Sequence, residues 1–372
     1  LLGRDHRHHL SNGHRSCCHR GDSLDGSAKS SLAMNAPKMT AKKLARTVVL
    51  ILLCTAIAGA PGLLTIFLML WMARQNFASD SHEKHGISHQ PASRLGGVAV
   101  AFCAFCIYWL SVGINLPLER LGSSLLAAPM FYALAIGAVG FCDDALGHFS
   151  AHLRLLLTAT IFAACLIINP NIIPATIGIP VIDSLLGFWP IAFLLCLMAC
   201  VGLLNATNMA DGANGLMPLV FMGTFYGYFA FSGELIYLAL TMGLMVFTLF
   251  NVLSGRLFLG DSGSYGLGAL AALGAIKLMS QTGAEVWLFL CLASYPIIDF
   301  VVSISRRKLA GRSPLSPDND HMHNRLYRYV RGCCPSPLVA NSISGLTISL
   351  GTTGISVILL SCGNFFIDSV RS

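Results

Sequence analysis

The chain has 372 residues, of which 55% are hydrophobic and only 11% charged, against an ordinary charged fraction of about 25%. That balance excludes a soluble globular domain and points to an integral membrane protein, and the formal charge of +7 reads as a map of sidedness, not as nucleic-acid binding, because the basic residues sit mainly in membrane-proximal loops. The thirteen cysteines lie mostly inside apolar runs as small hydrophobes, and no CxxC is paired with a second at zinc spacing, which excludes a disulfide framework and a zinc-ribbon module.

In chain order, the opening stretch differs from the rest. Arg4 to Ser31 is rich in His, Arg, Ser and Gly, has no periodic apolar pattern and reads as disordered. Met34 and Met39 stand just ahead of Lys42, Lys43, Arg46 and the first apolar run, so translation is expected to start near one of them, the alternative being an ordinary tail. That run is too long for a signal-peptide core and is followed by no small-residue cleavage site, so it reads as an uncleaved anchor. The expected organisation is a disordered basic tail over 1–46, a transmembrane domain over 47–362 and a short C-terminal tail over 363–372.

With roughly 20 apolar residues needed per span, ten segments are expected, near 48–72, 97–115, 124–141, 153–169, 188–205, 215–232, 235–253, 264–280, 286–305 and 338–361. The fold class is therefore an all-α polytopic bundle of about ten transmembrane helices. Loops after odd-numbered spans hold Arg74, Lys84, Arg94, Arg154, Arg256, Arg306, Arg307, Lys308, Arg312, Arg325, Arg328 and Arg331, whereas the even loops and C-terminal tail hold Arg120, Lys277 and Arg371. Odd loops are therefore expected in the cytoplasm. The nine basic residues of the N-terminal tail argue the other way, but the internal loops agree along the whole chain.

The dense polar clusters all fall in odd loops, so five loops on one face can form one site. The even loops are short or bland, apart from 169–186, whose Ile/Pro/Gly pattern suggests a small hairpin. Asp143-Asp144 closes a span, and adjacent aspartates there suit holding a hard divalent cation or orienting an anionic nucleophile; capping a helix is the plainer alternative. Asn205 to Leu216 gathers Asn205, Asn208, Asp211 and Asn214 between two apolar runs, where unpaired polar groups cost several kcal/mol each, so it should line an enclosed or wet site. Asp211 is a candidate cap for the helix that follows. Asp261 lies among glycines, where a carboxylate can take a metal or cap the next helix. The last large loop sets Asp318, Asp320, His321 and His323 among Arg306, Arg307, Arg312 and Arg325, a composition that suits diphosphate binding. Histidines at i and i+2 with no cysteine partner make zinc the weaker reading.

In order, these motifs resemble the polyprenyl-phosphate N-acetylhexosamine-1-phosphate transferases, glycosyltransferase family 4: Asp143-Asp144 after a Gly-Phe, Asn205-x-x-Asn208-x-x-Asp211-Gly212, Asn251 ten positions before Asp261, and Asp318-x-Asp320-His321-x-His323. The resemblance runs from about 48 to 362. It implies a Mg²⁺- or Mn²⁺-dependent reaction at the cytoplasmic face of the bacterial inner membrane. Undecaprenyl phosphate would attack a UDP-N-acetylhexosamine, most simply UDP-GlcNAc, and release UMP. The product would initiate O-antigen or a related cell-envelope polysaccharide. By the same resemblance Asp143, Asp144 and Asp261 are catalytic, Asp261 and Asn208 hold the metal, and Asp143 orients or deprotonates the lipid phosphate. Arg94, Asn205, Asn208, Asp211, Asn251, His321 and His323 bind substrate. The lipid bilayer is the third partner, a homodimer is left open, and no nucleic acid is expected.

The chain departs from the family in places. Between His89 and Arg94 there is one residue fewer than usual and the second Pro is missing, Asn214 replaces a common Asp, and Gly147 stands where the pentapeptide-handling branch has Lys. The last of these favours the N-acetylglucosamine-type branch. A membrane transporter with a cytoplasm-facing anionic site is the rival class, but it should show inverted repeats and midplane polar residues, whereas these acids gather at one face.

Overall fold

In the computed structural model, which describes residues 41–75, 92–113, 127–147, 149–313 and 320–362, the described parts of the apolar runs read from the sequence lie mainly on helix. His89, Asp318 and the two tails over 1–40 and 363–372 lie outside the described residues. The chain divides into Leu1–Ala45 and Arg46–Ser372, and the second unit carries all that follows. The helices of the described residues are α1 (Ala41–Met72), α2 (Gly96–Gly113), α3 (Ala127–Leu146), α4 (Ala151–Ile168), α5 (Pro180–Leu186), α6 (Trp189–Ala210), α7 (Leu216–Ser232), α8 (Leu235–Ser254), α9 (Gly260–Thr282), α10 (Val286–Leu292), α11 (Ser294–Leu309), α12 (Met322–Cys333) and α13 (Pro337–Ser349), with a π-turn over Leu350–Gly354.

By length and composition, six helices among the described residues are long and apolar enough to cross a membrane, or seven if the bent pair α10–α11 is one span. The helices at Gly96–Ser111 and Leu216–Ser232 are shorter, and α9 is diluted by Asp261, Lys277 and its glycines. The protein is thus a multi-pass, all-helical membrane bundle. The hairpin expected over 169–186 is corrected: Pro170–Ile172 form a 3₁₀ turn and Pro180–Leu186 form α5. Proline explains the difference, since it stands at the start of both elements, where a helix needs no N–H and a strand ladder would.

Helix α9 is the post around which the others stand, buried at nearly every position from Ser262 to Met279. Small residues let its neighbours close in, as membrane helices require when burial from water does not drive their packing. A Cβ at Gly140 of α3 would overlap the Asp261 carbonyl, and one at Gly97 of α2 would overlap Gly263. These contacts bring the last turn of α3 and the first of α2 against the start of α9.

The run at 286–305 is not one straight helix. It breaks at Ala293 (φ −102°, ψ 22°) and turns by 80° between α10 and α11. Pro296, early in α11, has no N–H to continue the ladder. Hydroxyls repair part of the loss: Thr353 Oγ1 donates to the Leu292 carbonyl at 2.9 Å and Ser356 Oγ to that of Cys291 at 3.1 Å. Beyond the bend, Tyr295, Asp299, Ser303 and Arg307 recur every fourth residue as a buried stripe, while Ile298, Val301 and Val302 face outward. A short parallel pairing completes the frame, with Ser93 N bonded to Arg256 O (3.1 Å), Phe258 N to Ser93 O (2.8 Å) and Gly96 N to Phe258 O (2.9 Å).

Candidate active site

Three carboxylates and two arginines from α3, α4, α9 and the segment ahead of α2 meet at one end of the bundle. Asp143 and Asp144 occupy the last turn of α3, and the chain then turns back through Ser150, whose hydroxyl accepts from Leu153 N and caps α4. One turn into α4, Arg154 Nη1 reaches 2.8 Å from Asp143 Oδ2 and 3.5 Å from Asp261 Oδ2. Asp143 Oδ1 accepts from Phe149 N at 3.2 Å, so the backbone orients this carboxylate as well. Arg94, placed by the Ser93 pairing, lies 3.8 Å from Asp144 Oδ1.

Asp144 performs a task that the sequence suggested for Asp261. Helix α9 starts at Gly260 with Leu259 as its cap residue and no side-chain cap from its own chain segment, and Asp261 sits inside the first turn. Asp144 Oδ2 accepts from Ser262 N at 2.9 Å, a carboxylate on the positive end of the helix. The N-cap reading of Asp261 is therefore corrected, because an acid from another helix already takes the exposed N–H. The other oxygen, Asp144 Oδ1, is buried and accepts no hydrogen bond among the described residues.

The central polar stretch divides its labour. Asn205 Nδ2 donates to Val201 O within α6 at 2.7 Å, whereas Asn208 Oδ1 accepts from Ser264 Oγ at 2.8 Å and ties α6 to α9. Asp211 ends α6, and Gly215 caps α7, so the expectation that Asp211 caps the following helix is also corrected: four residues separate it from the helix start at Leu216. Part of the Asp211 surface is open, yet its carboxyl lies deep enough that burial, and then the charges of Asp261 and Asp144, push it up to about 7 against the pull of Arg94.

Asn251 on α8 commits both ends of its amide to backbone. Its oxygen accepts from Gly215 N at 2.7 Å and its nitrogen donates to Leu257 O at 2.8 Å, in a buried setting. It pins the polar stretch to the strand-like segment ahead of α9. Asn251→Ala is expected to cost about 1–3 kcal/mol for each buried group left unpaired and to lower the melting temperature in detergent. An unchanged melting curve would show that the two bonds carry no weight.

The last loop forms a second cluster. His321 Nδ1 lies 2.6 Å from Asp299 Oδ2 and 3.3 Å from Ser303 Oγ, and His323 Nδ1 lies 2.8 Å from the Tyr295 hydroxyl. The two imidazoles stack with centroids 5.4 Å apart. A Cβ on Gly212 would strike His323 Nε2, so the pair abuts the residue that follows Asp211. Asp320 is drawn outward instead. It pairs with Arg325, Arg328 and Arg306, and the Arg325 hydrogen bond foremost holds its carboxyl down at about 2. Sequence reasoning passed over Arg154 and Asp299. An acid inside the apolar run at 286–305 was itself the available signal for Asp299, while nothing local marked Arg154 apart from other loop arginines.

The geometry has independent company. A model described as glycosyl transferase family 4 matches residues 126–279, which include Asp143, Asp144, Arg154, the central stretch and Asp261. The chain is 27% identical over 256 residues to an undecaprenyl-phosphate alpha-N-acetylglucosaminyl 1-phosphate transferase of Thermotoga maritima, covering 68% of this chain and 72% of that protein. It is 26% identical over 270 residues to a decaprenyl-phosphate N-acetylglucosaminephosphotransferase of Mycolicibacterium smegmatis, covering 64% and 65%. A phospho-N-acetylmuramoyl-pentapeptide-transferase of Thermotoga maritima matches at 27% over a shorter 201 residues, covering 50% and 64%. Three of the four ordered motifs fall inside the matched residues, and over them the chain is similar to glycosyl transferase family 4 and to relatives named as N-acetylglucosamine-type transferases.

Proposed function

We propose that this protein transfers N-acetylglucosamine-1-phosphate from UDP-GlcNAc to a polyprenyl phosphate, undecaprenyl phosphate in the first instance, at the cytoplasmic face of a bacterial inner membrane. The observation that carries the reading is the meeting of Asp143, Asp144 and Asp261 with Arg94 and Arg154 at one end of an apolar bundle. Polar groups there suit a nucleotide diphosphate, and the bundle suits a lipid tail. The names of the relatives point to the same chemistry.

In this reading an oxygen of the lipid phosphate attacks the sugar-bearing phosphorus, the bond to UMP breaks, and the electron pair leaves on UMP. A general base is hardly required, since a phosphate monoester with a second pKa of about 6 is already ionised near neutrality. Asp143, held by Arg154 and Phe149 N, then serves to position rather than to deprotonate. Arg154 and Arg94 offset charge on the phosphoryl group as it transfers.

The donor set suits Mg²⁺. Among the described residues the four acids Asp143, Asp144, Asp211 and Asp261 stand beside two cations, Arg94 and Arg154, which leaves an acid excess, and Asp144 Oδ1 is buried without a hydrogen bond there. Among the described residues no three His, Cys, Asp or Glu are grouped to hold a metal ion by themselves, so substrate phosphates and water would have to complete its shell. Asp261 and Asn208 would hold the ion, which when bound would neutralise charge on the diphosphate.

The test is UMP release from UDP-GlcNAc by sealed membrane vesicles. Release should require added polyprenyl phosphate and an inside-out orientation. Lipid-independent release, or equal release from right-side-out vesicles, would count against the reading, and a panel of UDP-N-acetylhexosamines would identify the donor and hence the class of polysaccharide served.

A further inference from the structure

The acid in α11 has no part in the acid cluster on α3 and α9, yet it is buried and its carboxylate is used twice. Asp299 Oδ2 lies 2.6 Å from His321 Nδ1, and Oδ1 accepts from Met322 N at 3.4 Å. Because α11 presents Tyr295, Asp299 and Ser303 at four-residue spacing on one face, three polar groups meet the two histidines in register. An ionised carboxylate can only accept, so Nδ1 of His321 must carry the hydrogen in this pair. Nε2, at the far side of the ring, makes no hydrogen bond to any described residue. The ring stacks on His323, which in turn rests against Gly212, so His321 stands one ring-width from the polar stretch that includes Asp211.

We infer that Asp299 is a positioning residue for the transfer reaction, one that holds His321 by Nδ1 and thereby presents Nε2 to the diphosphate of the donor. The inference rests on the function proposed above for the substrate, while the Asp299–His321 pairing stands on the geometry alone. With Nδ1–H given to the carboxylate, Nε2 is the nitrogen turned to the donor, a lone-pair nitrogen in the neutral ring and an N–H donor to an anionic oxygen in the protonated one. The helix bend is what makes this possible, since the change of direction at Ala293 aims the polar stripe of α11 at the start of α12.

Two measurements test it. In polyprenyl-phosphate-dependent UMP release, Asp299→Asn should lower kcat by about 10- to 100-fold, the range seen when a carboxylate behind a ligand histidine is lost. Asp299→Glu, which keeps a carboxylate acceptor for Nδ1–H, should recover part of that loss. In a His321→Asn background, Asp299→Asn should cost no further activity, whereas an acid needed only for folding would still cost there. Independently of turnover, ¹⁵N-histidine spectra of the detergent-purified protein, assigned by the signal lost in His321→Asn, should show Nδ1 protonated in the wild type and a shift toward the Nε2-protonated tautomer in Asp299→Asn. An unchanged kcat together with an unchanged tautomer would overturn the inference. If the wild type shows no lipid-dependent release, the proposed function fails, and the spectra still decide the pairing. Should Asp299→Asn fail to accumulate, the conservative Asp299→Glu variant carries both readouts: it is expected to keep the wild-type tautomer at reduced kcat, and loss of that tautomer would sink the assignment.

Discussion

Asp261→Asn is expected to lower lipid-dependent UMP release by at least about 100-fold, a loss of the size that follows removal of one group stabilising transition-state charge, and added Mg²⁺ should not restore it. The geometry separates this chemical loss from a folding loss. The Asp261 side chain keeps 23% of its surface exposed, and its ion-pair partner among the described residues is Arg154 at 3.5 Å. Asp144, by contrast, takes the Ser262 N–H at the head of α9 and is buried, so its replacement mixes chemistry with stability. The isosteric amide at 261 removes charge and little else. A melting temperature within a few degrees of wild type, together with lost turnover, is the expected pair of results; near-normal turnover would sink the metal and charge-neutralising assignment.

Arg154→Met should have the second largest effect, with kcat falling by about 100-fold and KM for the UDP-sugar changing less. Arg154 is the bridge between Asp143 on α3 and Asp261 on α9, and without it two carboxylates face each other with no cation between them. Arg154→Lys keeps the charge but loses the planar fork that can address two oxygens at once, so it should recover only part of the rate. Separate kcat and KM measurements on both variants, with thermal unfolding as the folding control, decide the matter. A Met variant with wild-type kcat would remove Arg154 from the site.

How far the site was legible depended on whether each residue's role lay in a local pattern. Asp143, Asp144, Asn208, Asp211 and Asp261 all sit in short polar or glycine-rich breaks between apolar runs, and such breaks are visible without any tertiary information. Asn251 was legible as a polar residue near a helix end, but its use of both amide ends on Gly215 and Leu257 was not. His321 and His323 stood out by type, while their partners Asp299 and Tyr295 lay inside an apolar stretch whose straightness was taken for granted. The 80° turn there, and the α5 helix in place of a hairpin, are the points where the local reading of Pro and Gly needed a partner element to resolve it.

What the sequence determined by itself is the solvent of the protein and the inventory of its chemistry. Runs of apolar residues long enough to bury a helix carry their own free energy in a bilayer, and motif order along the chain survives any packing. What only the tertiary structure decided is which acid does which task. Asp144 caps a helix 118 positions away, Arg154 spans 107 positions to reach Asp261, and Asp299 grips a histidine 22 positions on. Such assignments arise because close helix packing at Gly97 and Gly140 sets ångström-scale distances between groups that share no local signal, and charge interactions between buried groups depend steeply on those distances.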